Sequence, residues 1–336
     1  MSKFTKLLFG AAALAALVSI GMPAGAQNEP YQHVPLPKEL PKGVSVEDAQ
    51  RLQGLIDDYK RQDPLTVTKI GGDNVYFAKG GVGGNDANVG FVVGKTGVIF
   101  IDSKNSAASE KDVLAEIAKI TPKPVDTAII LHSDHELGVT GLPAGITIIA
   151  QENTKKEMED SKTNDAVPSN YFPTKTIAKD ETMTIDGVKV RLLHWAPAHT
   201  SGDLAAFFPA QKVVFVGDVI VTDFGLTMTQ IHGPGDVPDL HGSVAGWIVA
   251  VKGMLALNAD TYVSGHGDLF TKRDVRTKLA FIQDKWDKMK AMVAQAKSLD
   301  DIRAALGEPP PKPNAQGKLP PPNTTELIYN ELTNKE

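Results

Sequence analysis

The spacing of apolar residues changes from a helical to a strand pattern near Leu65. Before this point, residues 46–61 place apolar side chains three or four positions apart, which predicts a peripheral helix. After it, short β-rich runs alternate with glycine-rich or polar turns, which predicts an antiparallel meander. Its strands are predicted at residues 66–70, 75–78, 89–93 and 98–101.

Helical and strand patterns alternate through the rest of the chain. In the first half, we predict helices at residues 107–120 and 152–160, a short helix from Glu136, strands at 128–131 and 146–150, and a polar loop at 161–180. In the second half, we predict hairpins at 181–195 and 203–216, helices at 241–257 and 273–297, and a strand at 261–264. Because each half has strands followed by helices, we expect an α/β fold with two packed sheets covered by helices on their outer sides.

The two ends of the chain lie outside this pattern. Residues 1–26 combine Lys3 and Lys6 with the apolar run 7–20 and a small-residue cleavage site, which predicts a signal peptide cut after Ala26. The apolar run falls short of the ~20 residues of a membrane-spanning helix. We therefore expect a periplasmic or secreted chain without membrane contact after cleavage. The expected domains are an N-terminal extension at 27–64, a main domain at 65–300, and a Pro-rich linker with a short C-terminal helix at 301–336.

The net charge and the absence of Cys argue against some classes of function. The chain has 35 basic and 40 acidic residues, a net charge of −5, and loss of Lys3 and Lys6 with the signal peptide would make it −7. This negative charge argues against nucleic acid as a partner. The chain contains no Cys, so it forms no disulfide and has no thiolate ligand or nucleophile. We expect a small-molecule substrate, and the sequence leaves the oligomeric state open.

A dense group of metal-binding side chains follows the predicted strand at 128–131. His132, Asp134 and His135 fall within four consecutive positions at its carboxyl end. Zinc takes nitrogen and oxygen donors of this kind. Asp134 has a second interpretation, as the N-cap of the helix predicted from Glu136.

Further candidate ligands lie at other strand ends or in the loops just after strands. They are His199 in the segment 196–203, Asp218 after the second hairpin, and His266 between two glycines. We expect these distant loops to converge on one cation.

The order of these segments resembles the metallo-β-lactamase-fold hydrolases, and the resemblance covers roughly residues 65–297. It implies a four-layer αββα sandwich with one or two metal ions between its sheets. It also implies that Asp102, at the end of the strand predicted at 98–101, supports the metal-binding loop and does not itself bind metal.

One position departs from the H-x-H-x-D-H pattern of that family. Ile130 stands where the first His is expected, unless a two-residue deletion gives that role to His132. Either arrangement lacks one ligand. If the site is a weakened hydrolase centre, we expect the substitution Ile130→His to raise metal occupancy.

The resemblance divides the remaining ligands between two metal sites. One site keeps four candidates: Asp134, His135, His266 and a shared Asp218. The other keeps three: His132, His199 and Asp218. We expect one firmly bound Zn²⁺ and a second that is weak or absent, with His232 or His241 as a substitute ligand or a substrate contact.

These features predict a zinc-dependent hydrolase. A bound Zn²⁺ lowers the pKa of its water from ~16 to ~7, and the resulting hydroxide would attack an ester, lactone, thioester or amide carbonyl. Asp134 would orient this nucleophile and pass a proton to the leaving group. The lack of Cys argues against the lactamases that use a Cys ligand, whereas Asp218 as a bridging ligand is similar to the thioesterase, lactonase and glyoxalase-type branches.

Two other functions remain open from the sequence. The first is a degenerate family member that binds a metal or a small ligand without turnover. The second is an accessory protein of a periplasmic oxidation system. Metal content and chelator-sensitive activity separate the hydrolase from the degenerate member.

Overall fold

The computed structural model describes residues 39–58, 64–81, 86–133, 136–160, 167–220, 241–313 and 322–334, together with Gly317 and Leu319. The expected signal peptide and the expected cleavage after Ala26 lie outside these residues. Among the described residues, no helix has both the length and the apolar character needed to cross a bilayer.

Most of the described α-helices are preceded by a polar residue whose side chain caps the first turn. The described α-helices are α1 (Val46–Asp58), α2 (Ala107–Ile120), α3 (Glu152–Glu159), α4 (Val244–Ala256), α5 (Lys272–Ala294), α6 (Leu299–Leu306) and α7 (Thr324–Thr333). In α5, Thr271 and Asp274 form a reciprocal capping box, in which each side chain accepts from the backbone N–H of the other residue. Ser298 and Asp301 form the same arrangement at the start of α6.

Within the described ranges, the first sheet has seven strands that follow one another in chain order. They are β1 (Thr66–Gly71), β2 (Val75–Lys79), β3 (Val89–Val93), β4 (Val98–Ile101), β5 (Val125–Ile129), β6 (Thr147–Gln151) and β7 (Lys175–Ile177). The predicted meander is confirmed, because β1 to β4 pair antiparallel. Strands β5 to β7 extend the sheet in parallel beyond β4.

The second sheet has six strands in the described part of the chain, in the order β13-β12-β11-β10-β9-β8. They are β8 (Glu181–Ile185), β9 (Val188–Leu193), β10 (Ala205–Phe208), β11 (Val213–Gly217), β12 (Thr261–Ser264) and β13 (Phe270–Thr271). Both predicted hairpins are confirmed by the antiparallel pairs β8–β9 and β10–β11. Strand β12 runs parallel to β11, and α4 lies in the connection between them.

Apolar side chains alternate between an inner and an outer layer on both sheets. Ile99 of β4 and Phe215 of β11 belong to an inner cluster formed by residues of the two sheets. Phe100 of β4 packs with Val113 of α2 in an outer cluster, and Trp247 of α4 belongs to the outer cluster of the second sheet. The layers therefore run helix, sheet, sheet, helix, and the expected four-layer αββα sandwich is confirmed.

Some elements differ from the sequence prediction. Strand β5 begins at Val125 and ends at Ile129, whereas the apolar run indicated 128–131. Strand β7 lies inside the segment predicted to be a polar loop, and only Ile177 of its residues is buried, so it shows no alternation. Helix α6 was not predicted, and it crosses the expected domain boundary at residue 300.

Helix α1 packs on the outer side of the second sheet against α5. Leu52 is fully buried in the outer cluster of that sheet. The guanidinium group of Arg51 donates two hydrogen bonds, of 2.6 and 3.0 Å, to the carboxylate of Asp274 on α5. A bidentate pair of this kind adds orientation to the apolar contact.

Replacing Leu52 by Ala should lower the free energy of unfolding by roughly 2–5 kcal/mol, because it leaves a cavity under α1. Val46 on the same helix is 60% exposed, so Val46→Ala should change the free energy of unfolding by no more than about 0.5 kcal/mol. Denaturant titration of both variants measures the difference. Equal effects would show that the buried side chain of Leu52 contributes no more to stability than the exposed side chain of Val46.

Candidate metal centre

The candidate ligands lie at the carboxyl ends of neighbouring strands. His132 follows β5, Asp218 follows β11, His266 follows β12, and Asp102 follows β4. His199 lies in the connection between β9 and β10. The strand pairs β4–β5 and β11–β12 are parallel, so the carboxyl ends within each pair lie side by side. The sandwich thus brings residues from distant parts of the chain to one edge.

The carboxylate of Asp218 lies at the centre of this group. Its Oδ2 atom is 3.3 Å from Nε2 of His266, 3.8 Å from Nε2 of His199 and 3.9 Å from Nε2 of His132. One ligand atom from each of His132, His199 and Asp218 lies within 4.8 Å of the others. The relative exposures of these four residues are at most 7%, so the group is shielded from bulk water. These buried residues form a group that could hold a metal ion.

The imidazole of His132 lies between Asp102 and Asp218. The Oδ2 atom of Asp102 is 3.6 Å from Nδ1 of His132, and its Oδ1 atom accepts a hydrogen bond of 3.3 Å from the backbone N–H of Leu131. Burial, and secondly the negative charge of Asp218, raise the pKa of the Asp102 carboxyl well above its ordinary value. A carboxylate beside the outer nitrogen of a ligand His orients the ring toward a metal. The supporting role of Asp102 stays a prediction, with this geometry in its favour.

Asp203 organises the loop that holds His199. Its Oδ2 atom accepts hydrogen bonds from the backbone N–H groups of Ala198 and Thr200, at 3.1 and 3.0 Å. Its Oδ1 atom accepts a bond of 2.8 Å from the hydroxyl of Thr200. Burial raises the pKa of Asp203, and the nearby His199 opposes this shift. Asp203 was not predicted as a functional residue, although a loop with Thr, Ser, Gly and Asp directly after His199 has the composition of a side-chain-stabilised turn.

Two glycines allow the strand ends to approach this closely. Gly217 has a φ of +52°, and a Cβ there would lie 3.0 Å from Nδ1 of His132. A Cβ at Gly265 would overlap Oδ1 of Asp218. Glycine is therefore required at both positions, for backbone conformation at the first and for space at the second.

A comparison with protein families identifies the family to which this chain belongs. Residues 82–266, more than half of the chain, match the model of the metallo-beta-lactamase superfamily. The chain belongs to the metallo-beta-lactamase superfamily. The matched region contains the whole group around Asp218, and the resemblance inferred from the sequence is confirmed.

Solved structures of the superfamily share the fold of this chain. A metallo-beta-lactamase from Pontibacter korlensis has a TM-score of 0.52 at 22% identity, over 66% of this chain and 100% of that protein. A metallo-beta-lactamase from Erythrobacter litoralis has a TM-score of 0.51 at 16% identity, over 66% of this chain and 96% of that protein. At these identities the likeness shows the fold alone.

A further relative is named for a different activity, O-demethylation. It is the 2,4-dinitroanisole O-demethylase subunit alpha of Nocardioides sp. (strain JS1661). The two chains are 26% identical over 274 residues, which is 78% of this chain and 74% of the relative.

The position of Ile130 explains the departure from the superfamily's H-x-H-x-D-H pattern. Ile130 is fully buried and belongs to the outer cluster of the first sheet, whereas its neighbour Leu131 belongs to the inner cluster. The Ile130 side chain therefore lies on the face of the sheet that packs against helices, away from Asp218. This placement argues against the expectation that Ile130→His raises metal occupancy, which stays untested.

The remaining site candidates are Asp134, His135, His232 and His241. Asp134, His135 and His232 lie outside the described residues, so their expected roles stay predictions. His241 is described; it is exposed and has a φ of +54°. Burial raises the pKa of Glu157 on α3, and the nearby His241 opposes this shift.

A group of buried charges next to Asp102 was not anticipated from the sequence. The ammonium group of Lys104 is buried and donates to the carbonyl oxygens of Gly80 and Ala87, at 2.7 and 2.5 Å. Glu110 is also fully buried and accepts from the backbone N–H of Lys104 at 2.9 Å. Burial lowers the pKa of Lys104 and raises the pKa of Glu110 to about 8, despite the nearby ammonium group. The spacing of apolar residues did not indicate that Lys104 and Glu110 are buried. Lys104 precedes α2, and charged residues such as Glu110 are common on helix surfaces.

We expect Ile130→His to lower the free energy of unfolding by roughly 2–4 kcal/mol, because it places an imidazole in an apolar layer. It should not raise the metal content. Ile130→Val, which keeps the layer apolar, should lower the free energy of unfolding by about 0.5–1.5 kcal/mol. Denaturant titration and elemental analysis measure both quantities. A stable variant with more metal would show that the side chain can reach the centre.

Glu110→Gln should flatten the dependence of stability on pH. The carboxyl pKa is raised from 4.5 to about 8 on folding, so the folded chain binds more protons than the unfolded chain between these values. Its contribution to stability is therefore lost as the pH rises through this window. Free energies of unfolding at pH 5 and pH 8 should differ less for the variant than for the unmodified chain. The control Glu116→Gln alters a carboxylate at the surface of the same helix and should keep the original slope; equal slopes for all three proteins would contradict the prediction.

Proposed function

We propose that the chain is a metal-dependent hydrolase that cleaves an ester, lactone, thioester or amide. The observation that supports this proposal most strongly is the buried group of His132, His199 and Asp218, whose ligand atoms lie within 4.8 Å of one another. Membership of the superfamily supports the same class of reaction.

The donor set fits a divalent metal ion. Catalytic zinc sites commonly use three protein ligands and leave a fourth position open. Ligand atoms around a tetrahedral zinc ion lie about 3.4 Å apart, given bond lengths near 2.1 Å. The distances of 3.8 and 3.9 Å from Oδ2 of Asp218 to the imidazoles of His199 and His132 need only a small contraction. Zinc is our choice among the metals that imidazole and carboxylate bind.

His132 and His199 would hold the first metal with Asp218, and His266 would join Asp218 in binding a second. When bound, such a metal lowers the pKa of a coordinated water and polarises a substrate carbonyl. We assign Asp102 the task of holding the Nδ1 proton of His132, so that the Nε2 lone pair is directed at the centre. Asp203 keeps the His199 loop in one conformation through its three hydrogen bonds. Asp134 completes the proposal as the residue that orients the nucleophile.

A second candidate reaction is the hydrolysis of an activated aromatic methyl ether. It is favoured by the relative named 2,4-dinitroanisole O-demethylase subunit alpha. Water and 2,4-dinitroanisole would give 2,4-dinitrophenol and methanol, which balances without an oxidant. The same donor set would serve, because the nitro groups stabilise the charge that develops on the leaving phenolate.

We further propose that the chain is exported and acts on a small molecule outside the cytoplasm, as the first 26 residues indicate. A centre that binds metal without turnover, or a role as an accessory protein of a periplasmic oxidation system, remains the alternative. Metal content and a substrate panel test the first alternative, and a pull-down from the periplasm tests the second.

We expect protein purified without added metal to contain close to one zinc ion per chain and to lose both zinc and activity to a chelator. Asp218→Asn should weaken zinc binding on the order of 100-fold or more, because even residues that only support ligands change affinity by 10–100-fold. Asp260→Asn, at a site 70% exposed, serves as the matched control and should bind zinc normally.

The substrate panel would contain 4-nitrophenyl acetate, a lactone, a thioester, a β-lactam and 2,4-dinitroanisole. Turnover of a carbonyl substrate supports the first proposal, and turnover of the ether alone supports the second. Zinc binding with no turnover supports the degenerate alternative. A chain that binds no divalent metal contradicts both hydrolase proposals.

A further inference from the structure

Helix α3 contacts both loops that carry the imidazoles of the first metal site. Glu157 accepts a hydrogen bond of 2.5 Å at Oε2 from the hydroxyl of Ser133, which directly follows His132. Its Oε1 atom accepts one of 2.6 Å from the hydroxyl of Ser201, two residues after His199. One carboxylate therefore joins the two loops, with one oxygen for each.

The same helix holds the His199 loop through contacts that do not involve Glu157. The hydroxyl of Thr154 donates to the carbonyl oxygen of Gly202 at 2.8 Å, and the side chain of Asn153 donates to the carbonyl oxygen of Ser201 at 3.2 Å. A Cβ at Gly202 would overlap Thr154, so the loop and the helix are in close contact. The His199 loop is thus held on helix α3 by contacts other than those of Glu157. Ser133 of the His132 loop is bonded to the same helix through Glu157.

Glu157 occupies a position where a carboxylate is not needed for packing. Helix α3 is anchored in the outer cluster by Met158, which is buried, while Glu157 is only half-buried. Burial raises the pKa of Glu157, and the hydroxyls of Ser133 and Ser201 oppose this shift by donating to it. Hydrogen bonds to a charged acceptor are short and strong, so they restrict the loops more than neutral bonds would.

We infer that Glu157 is a positioning residue for the metal centre, because its carboxylate ties the His132 loop to the His199 loop and so sets the spacing of the two imidazoles. This inference rests on the proposed function, since it requires that His132 and His199 bind metal. In this role Glu157 affects the metal through the two loops and does not act as a ligand. Its effect is transmitted through Ser133 and Ser201.

The test compares Glu157→Ala and Glu157→Gln in the full chain, with zinc alone and cobalt alone as probes. The Ala variant should bind zinc 10–100-fold more weakly, the range found for groups that orient ligands. The visible absorption spectrum of bound Co²⁺ should also change, because it reports ligand geometry. The Gln variant can accept from one serine and donate to the other, so it should recover a substantial part of the affinity.

Controls separate positioning from folding and from the proposed function. Glu159→Ala, at the exposed end of the same helix, should leave zinc affinity and the cobalt spectrum unchanged. The metal-free forms of all variants should unfold at similar denaturant concentrations. In a Ser133→Ala/Ser201→Ala background, Glu157→Ala should have little further effect on zinc affinity.

Two results would overturn the inference alone: unchanged zinc affinity and cobalt spectrum in Glu157→Ala, or a loss of affinity that Gln does not restore and that accompanies unfolding of the metal-free protein. If the unmodified chain binds neither zinc nor cobalt, the proposed function fails, and the inference fails with it.

Discussion

The buried carboxylate of Asp218, faced by three imidazoles, is the interaction on which the organisation of this protein depends. A carboxylate removed from water is unfavourable unless positive charge or hydrogen bonds compensate it. Asp218 is 3% exposed and lies within 3.9 Å of nitrogen atoms from three separate segments of the chain. A divalent cation among these atoms would supply positive charge beside this carboxylate. It would also couple metal binding to the assembly of the two sheets, because the ligands come from both.

The loops around Asp218 are held by other carboxylates, each serving as a hydrogen-bond acceptor for a different segment. Asp203 fixes the His199 loop from within, and Glu157 joins that loop to Ser133. Glu331 of the C-terminal helix α7 accepts from Ser243 and from the backbone N–H of Val244 at the start of α4. Because the backbone N–H of Ser243 donates to Ala198, this last contact connects the C-terminal helix to the His199 loop. Helix α7 therefore contributes to the position of the His199 loop.

Segments beyond the region matched by the superfamily complete the outer layer of the second sheet. Leu52 of α1 and Ile328 of α7 are fully buried in the same cluster as Trp247 of α4. Helices α1 and α7 thus pack in the same apolar cluster as α4. Burial of their apolar side chains attaches both helices to the second sheet.

The sequence by itself determined the fold class, most of the strands and the order of the candidate ligand segments. These features depend on local periodicity and on side-chain chemistry, both of which are visible in a short window. The strands of the meander, the two hairpins and the positions of His132, His199, Asp218 and His266 at or after strand ends follow from such signals.

Only the tertiary structure decided which side chains share a face or a buried pocket. It shows Ile130 in the outer layer, Lys104 and Glu110 buried beside Asp102, and Glu157 between two loops. The short strands β7 and β13 also emerge only from pairing with their neighbours. The physical reason is that burial, and the electrostatic shifts that follow from it, depend on contacts between residues that are far apart in the chain. A window of neighbouring residues contains no record of those contacts.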